Sequence, residues 1–138
     1  MSIRDYRKGD FPQIEKLWKE TGVYRPERGD THETILRCND RGGRFLVLED
    51  QNKRIIGTSW LTWDGRRVII QYVAVLPSMQ GKGYGRELAL ESLNCAKEKG
   101  TAVKLEVHRD NRTAVGLYRE LGFEILDGYE VYLAYPGS

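Results

Sequence analysis

The sequence predicts a mixed α/β fold, with a mostly antiparallel central sheet and helices on its faces. Two patterns carry this prediction. From residue 45 to residue 76, apolar and polar residues alternate with a period of two, as in a meander of antiparallel strands. A segment with helical spacing then leads to a further strand at 103–107, and such a crossover makes the strands before and after it parallel.

The segment ahead of the meander is predicted to hold one strand and two helices. Residues 2–6 alternate like a short strand, and Asp10 is placed to cap a helix whose apolar stripe is Phe11, Ile14, Leu17 and Trp18. Residues 22–29 are rich in glycine, proline and arginine, which is typical of a loop. Asp30 or Thr31 then caps a short second helix.

Turns and a proline divide the remaining chain into strands and helices. Pro77 ends the third strand of the meander, and Asp127 with Gly128 favours a turn between two final strands. The predicted strands are 45–49, 55–63, 68–76, 103–107, 123–126 and 130–134, and the predicted helices are 87–99 and 113–121.

Length and charge limit the classes of protein to consider. A chain of 138 residues fits one domain, so we expect residues 1–138 to form a single unit. The 22 basic residues nearly balance the 20 acidic ones, so net charge supports neither a nucleic-acid partner nor a membrane surface. Any anion site must therefore be local.

The cysteines predict a compartment and argue against a metal site. Cys38 and Cys95 lie far apart in the sequence without the spacing of a zinc set, and only 2 histidines accompany them. We interpret both as structural thiols and expect no metal. No apolar run suggests a signal peptide or a membrane span, so we expect a cytoplasmic protein.

A glycine-rich segment between a strand and a helix is the first chemical signal. It consists of Gln80, Gly81, Lys82, Gly83, Tyr84, Gly85 and Arg86. Unpaired amides and the positive end of the helix dipole converge there, and glycine permits the positive φ values that a nest of amides requires. An anion is therefore expected at this turn. A connector that merely turns the chain is the alternative, and the spacing fits neither a nucleoside-triphosphate loop nor a dinucleotide fingerprint.

Two motifs in register point to a family. The first is Val73-Ala74-Val75-Leu76-Pro77 followed by Gln80-x-x-Gly83-x-Gly85, and the second runs from Asn111 to Phe123. Together they resemble the signature of the GNAT superfamily, the N-acetyltransferases that depend on acetyl-coenzyme A. The order of elements also matches, so the resemblance covers nearly the whole chain and is weakest at residues 20–44.

This resemblance implies how a cosubstrate is bound. Acetyl-coenzyme A would place its pyrophosphate on the Gln80–Arg86 turn. The strands at 68–76 and 103–107 would splay apart, and pantetheine would bind along the backbone of Val73, Ala74 and Val75 like an extra strand. For the side chains of these three residues, core packing is the expected role.

Three residues of the second motif share one face of the helix predicted there. Asn111, Ala114 and Tyr118 stand at i, i+3 and i+7. The resemblance implies that Asn111 and Ala114 line the coenzyme and that Tyr118 sits near its sulfur, where a phenol can protonate the departing thiolate. Spacing alone also fits an Asn111 that is only an N-cap and a Tyr118 that is only a packed aromatic.

Glu106 is the candidate general base. An ammonium has no lone pair, so an amine must lose a proton before it attacks a thioester. Alternation turns Glu106 away from its apolar neighbours Leu105 and Val107. The run from Leu105 to Phe123 is similar to the ribosomal-protein alanine N-acetyltransferases, in which a glutamate here is a proposed base. A solvated strand residue is the alternative.

The sequence therefore predicts an N-acetyltransferase that acetylates a primary amine of a small molecule or protein. We expect direct transfer in a ternary complex, because no cysteine or serine is placed with a base to form an acyl-enzyme. The charges at 22–30, where this fold normally admits the acceptor, leave the identity of the acceptor open. A homodimer through the final strands is also left open. A noncatalytic coenzyme A binding module or metabolite sensor is the alternative. A small RNA-binding domain is disfavoured, because the sequence has no basic stripe.

Overall fold

The structure is a computed structural model that describes residues 1–137. In these residues the helices are α1 Phe11–Thr21, α2 His32–Asp40, α3 Tyr84–Lys97 and α4 Arg112–Glu120, with short 3-10 turns at Pro26–Arg28 and Pro77–Met79. The strands are β1 Ser2–Asp5, β2 Arg44–Glu49, β3 Ile55–Trp63, β4 Val68–Val75 and β5 Val103–Leu105. None of the described helices is long and apolar enough to cross a bilayer.

The five strands form one mixed sheet in the order β1-β2-β3-β4-β5. Strands β1 to β4 are antiparallel neighbours, whereas β4 and β5 are parallel, which confirms the predicted fold class and crossover. The chain divides into two compact units, Met1–Glu106 and Val107–Ser138. The first contains the whole sheet and α1 to α3, and the second contains α4.

Aromatic rings fill the core on the α1 and α2 face of the sheet. Trp18 is fully buried, stacks on Trp60 at a centroid distance of 5.8 Å, and donates its indole N–H to the hydroxyl of Thr58 at 3.0 Å. On the opposite face, α3 buries Leu88 against β2, β3 and β4, and Ser92 hydrogen-bonds Ser59 at 2.6 Å. Both buried polar contacts are internally satisfied, as a tightly packed core requires.

The N-terminal caps differ in detail from the predicted ones. Asp10 occupies the N-cap of α1, but its side chain does not cap the helix. Its carboxylate instead accepts from the Arg4 guanidinium at 2.8 Å and from the Arg7 amide at 2.7 Å, because a charged partner on β1 competes successfully for it. Of the two candidates for α2, Thr31 is the cap, accepting from the Thr34 amide at 3.2 Å.

Several element boundaries also differ, and two of them lie near the candidate site. Helix α3 begins at Tyr84 rather than at residue 87, so Gly85 lies in its first turn. A Cβ on Gly85 would lie 3.9 Å from Val75, so the first turn of α3 lies close to the end of β4. Strand β5 ends at Leu105 rather than at residue 107, where its pairing with β4 stops.

The two predicted final strands are wrong. Within residues 123–137 the backbone forms no strand in the structure. Alternation gave these segments a strand-like pattern, but a strand also needs a neighbour for its hydrogen bonds, and none is recorded for them in the described sheet. Their apolar side chains are exposed, and these are Ile125, Leu126, Tyr129, Val131, Tyr132, Leu133 and Tyr135.

Candidate active site

The sheet opens where β4 loses its parallel partner. The pairing of β4 with β5 covers Val68 to Ile70 and ends at the pair Ile70 and Leu105. Across β3, Trp60 lies opposite Tyr72 while Leu61 lies opposite Ile70, so Gln71 is an extra residue in a bulge. The bulge marks the point beyond which β4 has a neighbour on one side only.

Beyond the bulge, β4 directs main-chain groups towards its open edge. The Leu76 amide donates to the Ile56 carbonyl of β3 at 2.9 Å, and along an antiparallel strand such groups alternate in direction. Ala74 therefore faces β3 as well, and its side chain is buried in the core. The N–H and C=O groups of Val73 and Val75 point away from β3, the direction that an added strand of pantetheine amides would require.

The turn that follows has the backbone of an anion site. Gly81 and Gly83 have φ values of +79° and +86°, in the left-handed region that favours glycine. A Cβ on either would have no atom of the described residues within 4 Å, so the space above the turn is open. Gly83 is also the N-cap of α3 and offers no capping side chain, which leaves the Tyr84 and Gly85 amides to an external acceptor.

The other residues of the turn either fix its position or add positive charge. Gln80 donates its side-chain amide to the Val75 carbonyl at 3.0 Å and so fixes the turn to the end of β4. The Tyr84 ring packs against the α3-face core, which leaves its main chain for a ligand. Lys82 and Arg86 are exposed at the rim. The residues present thus fit a pyrophosphate, which needs amides, space and positive charge.

Glu106 directly follows the last residue of β5. Its side chain is exposed, so the carboxylate is accessible to solvent at the end of the strand from which β4 has separated. Its role as general base stays a prediction.

In the second unit, α4 carries the other predicted residues. Asn111 is the N-cap, and its side-chain oxygen accepts from the Ala114 amide at 3.2 Å. The Tyr118 ring meets Phe123 edge to face at a centroid distance of 5.7 Å, and burial raises the pKa of its phenol. The capping and packing roles are therefore real. The cap uses only the side-chain oxygen of Asn111 and not its amide nitrogen, and burial favours the protonated form of Tyr118.

One buried pair near the bulge was missed by the sequence analysis. The Tyr72 hydroxyl donates to the Asp30 carboxylate at 3.1 Å, although 42 positions separate the two residues. The sequence predicts Asp30 as a possible helix cap and as one charge of the 22–30 loop, but not as a partner of Tyr72. The one available signal was the polar Gln71 inside an apolar strand, which marks the bulge but not the partner of Tyr72.

Comparison with known proteins agrees with this geometry. The model of the acetyltransferase (GNAT) family matches residues 6–123, so the chain belongs to that family. It is an acetyltransferase whose cosubstrate is acetyl-coenzyme A.

Solved structures share the fold. The PaiA N-acetyltransferase of Thermoplasma acidophilum, solved in complex with coenzyme A, is 23% identical with a TM-score of 0.75, over 91% of this chain and 91% of its own. The ribosomal-protein-S18-alanine N-acetyltransferase of Escherichia coli is 22% identical with a TM-score of 0.74, over 89% of this chain and 77% of its own. An acetyltransferase of Trypanosoma brucei is 22% identical with a TM-score of 0.77, over 97% of this chain and 99% of its own. At these identities the likeness concerns the fold.

The turn at Gly83 yields a specific prediction. We expect Gly83→Asp to abolish coenzyme A binding, because it adds bulk and negative charge where a pyrophosphate must approach the amides. Isothermal titration calorimetry with coenzyme A measures the loss.

Gly65→Asp is the matched control. Gly65 lies in the turn between β3 and β4, with a φ of +88° and no neighbouring atom of the described residues within 4 Å of a Cβ. Both substitutions therefore impose the same backbone strain, on the order of 1–2 kcal/mol, without a steric clash. Equal coenzyme A affinity in the two folded variants would show that the turn is not the pyrophosphate site.

Proposed function

We propose that this acetyltransferase acts on nitrogen, transferring acetyl to a primary amine of a small molecule or a protein. The observation that carries the proposal is the carboxylate of Glu106 at the end of β5, beside the open edge of β4. An ammonium acceptor needs a group that removes its proton, whereas the thioester needs only positioning. The names of two structural neighbours, both N-acetyltransferases, agree with acylation of nitrogen.

Transfer is direct, in a ternary complex of protein, acetyl-coenzyme A and amine. An acyl-enzyme would require a reactive nucleophile, and burial raises the thiol pKa of both Cys38 and Cys95. A raised pKa leaves little thiolate at neutral pH. The amine nitrogen therefore attacks the thioester carbonyl itself, the carbon–sulfur bond breaks, and the thiolate of coenzyme A takes up a proton.

A thiol-release assay tests this function. Purified protein, acetyl-coenzyme A and a panel of primary amines should release coenzyme A thiol, whereas the matching alcohols should not. Mass spectrometry of the product should show the amide. Tight binding of acetyl-coenzyme A with no release of thiol above the uncatalysed rate would favour a noncatalytic sensor instead.

Glu106 and Tyr118 act on opposite ends of the transfer. We assign Glu106 the removal of the amine proton, which its exposed position permits. We assign Tyr118 the protonation of the thiolate, because burial raises its pKa and keeps the phenol protonated. The cosubstrate is bound by the backbone of Val73 and Val75, by the turn from Gln80 to Arg86, and by Asn111 and Ala114.

The two roles predict different pH profiles. Glu106→Gln removes the base, so its loss of rate should be greatest at low pH, where most of the amine is protonated, and should shrink as pH approaches the amine pKa of roughly 10. Tyr118→Phe keeps the ring against Phe123 and removes the proton, so kcat should fall about a hundredfold or more with unchanged coenzyme A affinity. Steady-state rates measured from about pH 6 to about pH 10, where the upper limit is close to the amine pKa, provide the comparison.

Each variant serves as the control for the other, because each keeps the shape of the side chain. A Glu106→Gln loss that is equal at every pH would remove Glu106 from the base role. A fully active Tyr118→Phe would mean that solvent protonates the thiolate.

We propose a homodimer in which a second copy covers the apolar C-terminal segment. Ile125, Tyr129 and Tyr132 are 78%, 80% and 93% exposed. So much apolar surface on a short segment is typical of an interaction site. Sedimentation equilibrium should show a dimer, and Tyr132→Asp with Tyr129→Asp should give a monomer. A wild-type monomer at concentrations up to about 1 mM, the affinity range of weak association, would contradict this.

The remaining expectations concern organisation and location. We propose that residues 1–138 work as one N-acetyltransferase domain, since a single family model extends across both compact units. We also propose a cytoplasmic location. Cys38 and Cys95 are unpaired thiols, which suits a reducing compartment.

A further inference from the structure

Asp30 is a buried carboxylate without a counter-ion. Only 3% of its surface is exposed, and no ion pair within residues 1–137 includes it. Burying a charge without a partner is costly, and such positions are more frequent at functional sites than elsewhere. Because Thr31 caps α2, Asp30 is not required for that purpose.

The hydrogen bonds of Asp30 fix it beside the bulge of β4. Its Oδ2 accepts from the Arg25 amide at 2.6 Å and from the Tyr72 hydroxyl at 3.1 Å. Tyr72 immediately follows the bulged Gln71, at the point where β4 has lost β5. Both hydrogen bonds fall on one oxygen, so Oδ1 is left to accept from a further donor.

Other charged residues surround Asp30, whose carboxylate is held in place by hydrogen bonds. Arg25 lies close, but its guanidinium donates to the carbonyls of Gly22 and Tyr24 at 3.2 Å and 2.8 Å. Glu27 raises the pKa of Asp30 and Arg25 lowers it, whereas Arg28 and Arg25 lower the pKa of the Tyr72 phenol. Burial is the largest influence and raises the pKa of Asp30 above its ordinary value. A cation next to Oδ1 would compensate for that burial.

The ring of Tyr72 adjoins the carboxylate. It contacts Trp18 and Trp60 at centroid distances of 5.4 Å and 6.3 Å; both indoles are buried in the core, whereas the Tyr72 ring is half-buried. An aromatic ring next to a carboxylate suits an alkylammonium, whose charge is attracted to both and whose methylenes pack on the ring.

We propose that Asp30 and Tyr72 form the subsite that recognises the acceptor as an alkylammonium ion. This inference rests on the proposed N-acetylation and names the class of its substrate, a cationic aliphatic amine. Asp30 binds the charged nitrogen through Oδ1, and Tyr72 is the positioning residue that fixes Oδ2. Acidic acceptors are disfavoured, because a second carboxylate beside Asp30 would be repelled.

The test is a binding titration that does not depend on turnover. Full-length protein saturated with coenzyme A is titrated with n-butylammonium and with n-butanol, followed by tryptophan fluorescence and calorimetry. We expect saturable binding of the ammonium only. Asp30→Asn should weaken it about tenfold or more, the effect of losing a charged hydrogen-bond partner, with coenzyme A affinity unchanged.

Glu27→Gln is the matched control. It removes a negative charge from the same loop without touching Oδ1 or Oδ2, so the affinity for n-butylammonium should change less than about twofold. A comparable loss in Glu27→Gln and Asp30→Asn would indicate a diffuse field rather than a subsite.

A pH profile separates recognition from loop stability. Binding needs ionised Asp30, so it should fade as pH falls, at a higher pH than for an ordinary aspartate. The Tyr72 hydrogen bond lowers the pKa of Asp30, so Tyr72→Phe should move the midpoint of binding to higher pH. If the hydrogen bond between Tyr72 and Asp30 only stabilised the loop, Tyr72→Phe would leave the pH midpoint of ammonium binding unchanged. If Asp30→Asn fails to fold, this shift decides the question.

The outcomes for subsite and function are distinct. Equal binding of n-butanol, or unchanged ammonium binding in Asp30→Asn, overturns the subsite even if amines are acetylated. Ammonium binding that depends on Asp30, in a protein that acetylates no amine, supports the subsite and overturns the proposed function.

Discussion

The end of hydrogen bonding between β4 and β5 is the constraint on which the proposed cosubstrate site depends. A strand inside a sheet has both edges occupied, and β4 is occupied on both sides only as far as Ile70. After that pair, no described strand receives the outward main-chain groups of Val73 or the Val75 amide, and the Val75 carbonyl accepts from the Gln80 side chain. Such groups require partners, and amides of a bound cosubstrate can supply them. The glycine turn lies at the end of the same strand, so the open edge and the proposed pyrophosphate site are continuous along the backbone.

The bulge at Gln71 assigns the two faces of β4 to different tasks. Before it, Ile70 pairs with Leu61, which lines the α3 side; after it, Tyr72 pairs with Trp60 in the aromatic core beneath α1. A regular strand would have placed residues 70 and 72 on one face. Because the alternation shifts here, the phenol of Tyr72 reaches the loop before α2, where Asp30 lies.

Buried polar groups are satisfied at some positions and not at others. Trp18 with Thr58 on the α1 face and Ser59 with Ser92 on the α3 face are mutually satisfied pairs. Asp30 differs, because it is a buried carboxylate without a counter-ion in the described residues. Such incomplete satisfaction costs stability and is tolerated most readily where a ligand completes it. The contrast supports placing the acceptor beside Asp30.

Local pattern determined most of the fold, and tertiary contact determined the rest. The period of two from residue 45, the helical stripe of α1 and the glycines at 81 and 83 each act within a few residues of chain, so the sequence alone predicted the meander, the helix and the anion turn. The same local evidence failed at residues 123–134, where alternation was present but no neighbouring strand is described. It could not pair Asp30 with Tyr72, because a hydrogen bond across 42 positions depends on how α1, the loop and β4 pack. Hydrophobic periodicity can be read from the sequence, whereas contacts between residues distant in the chain form only when the elements pack into the core.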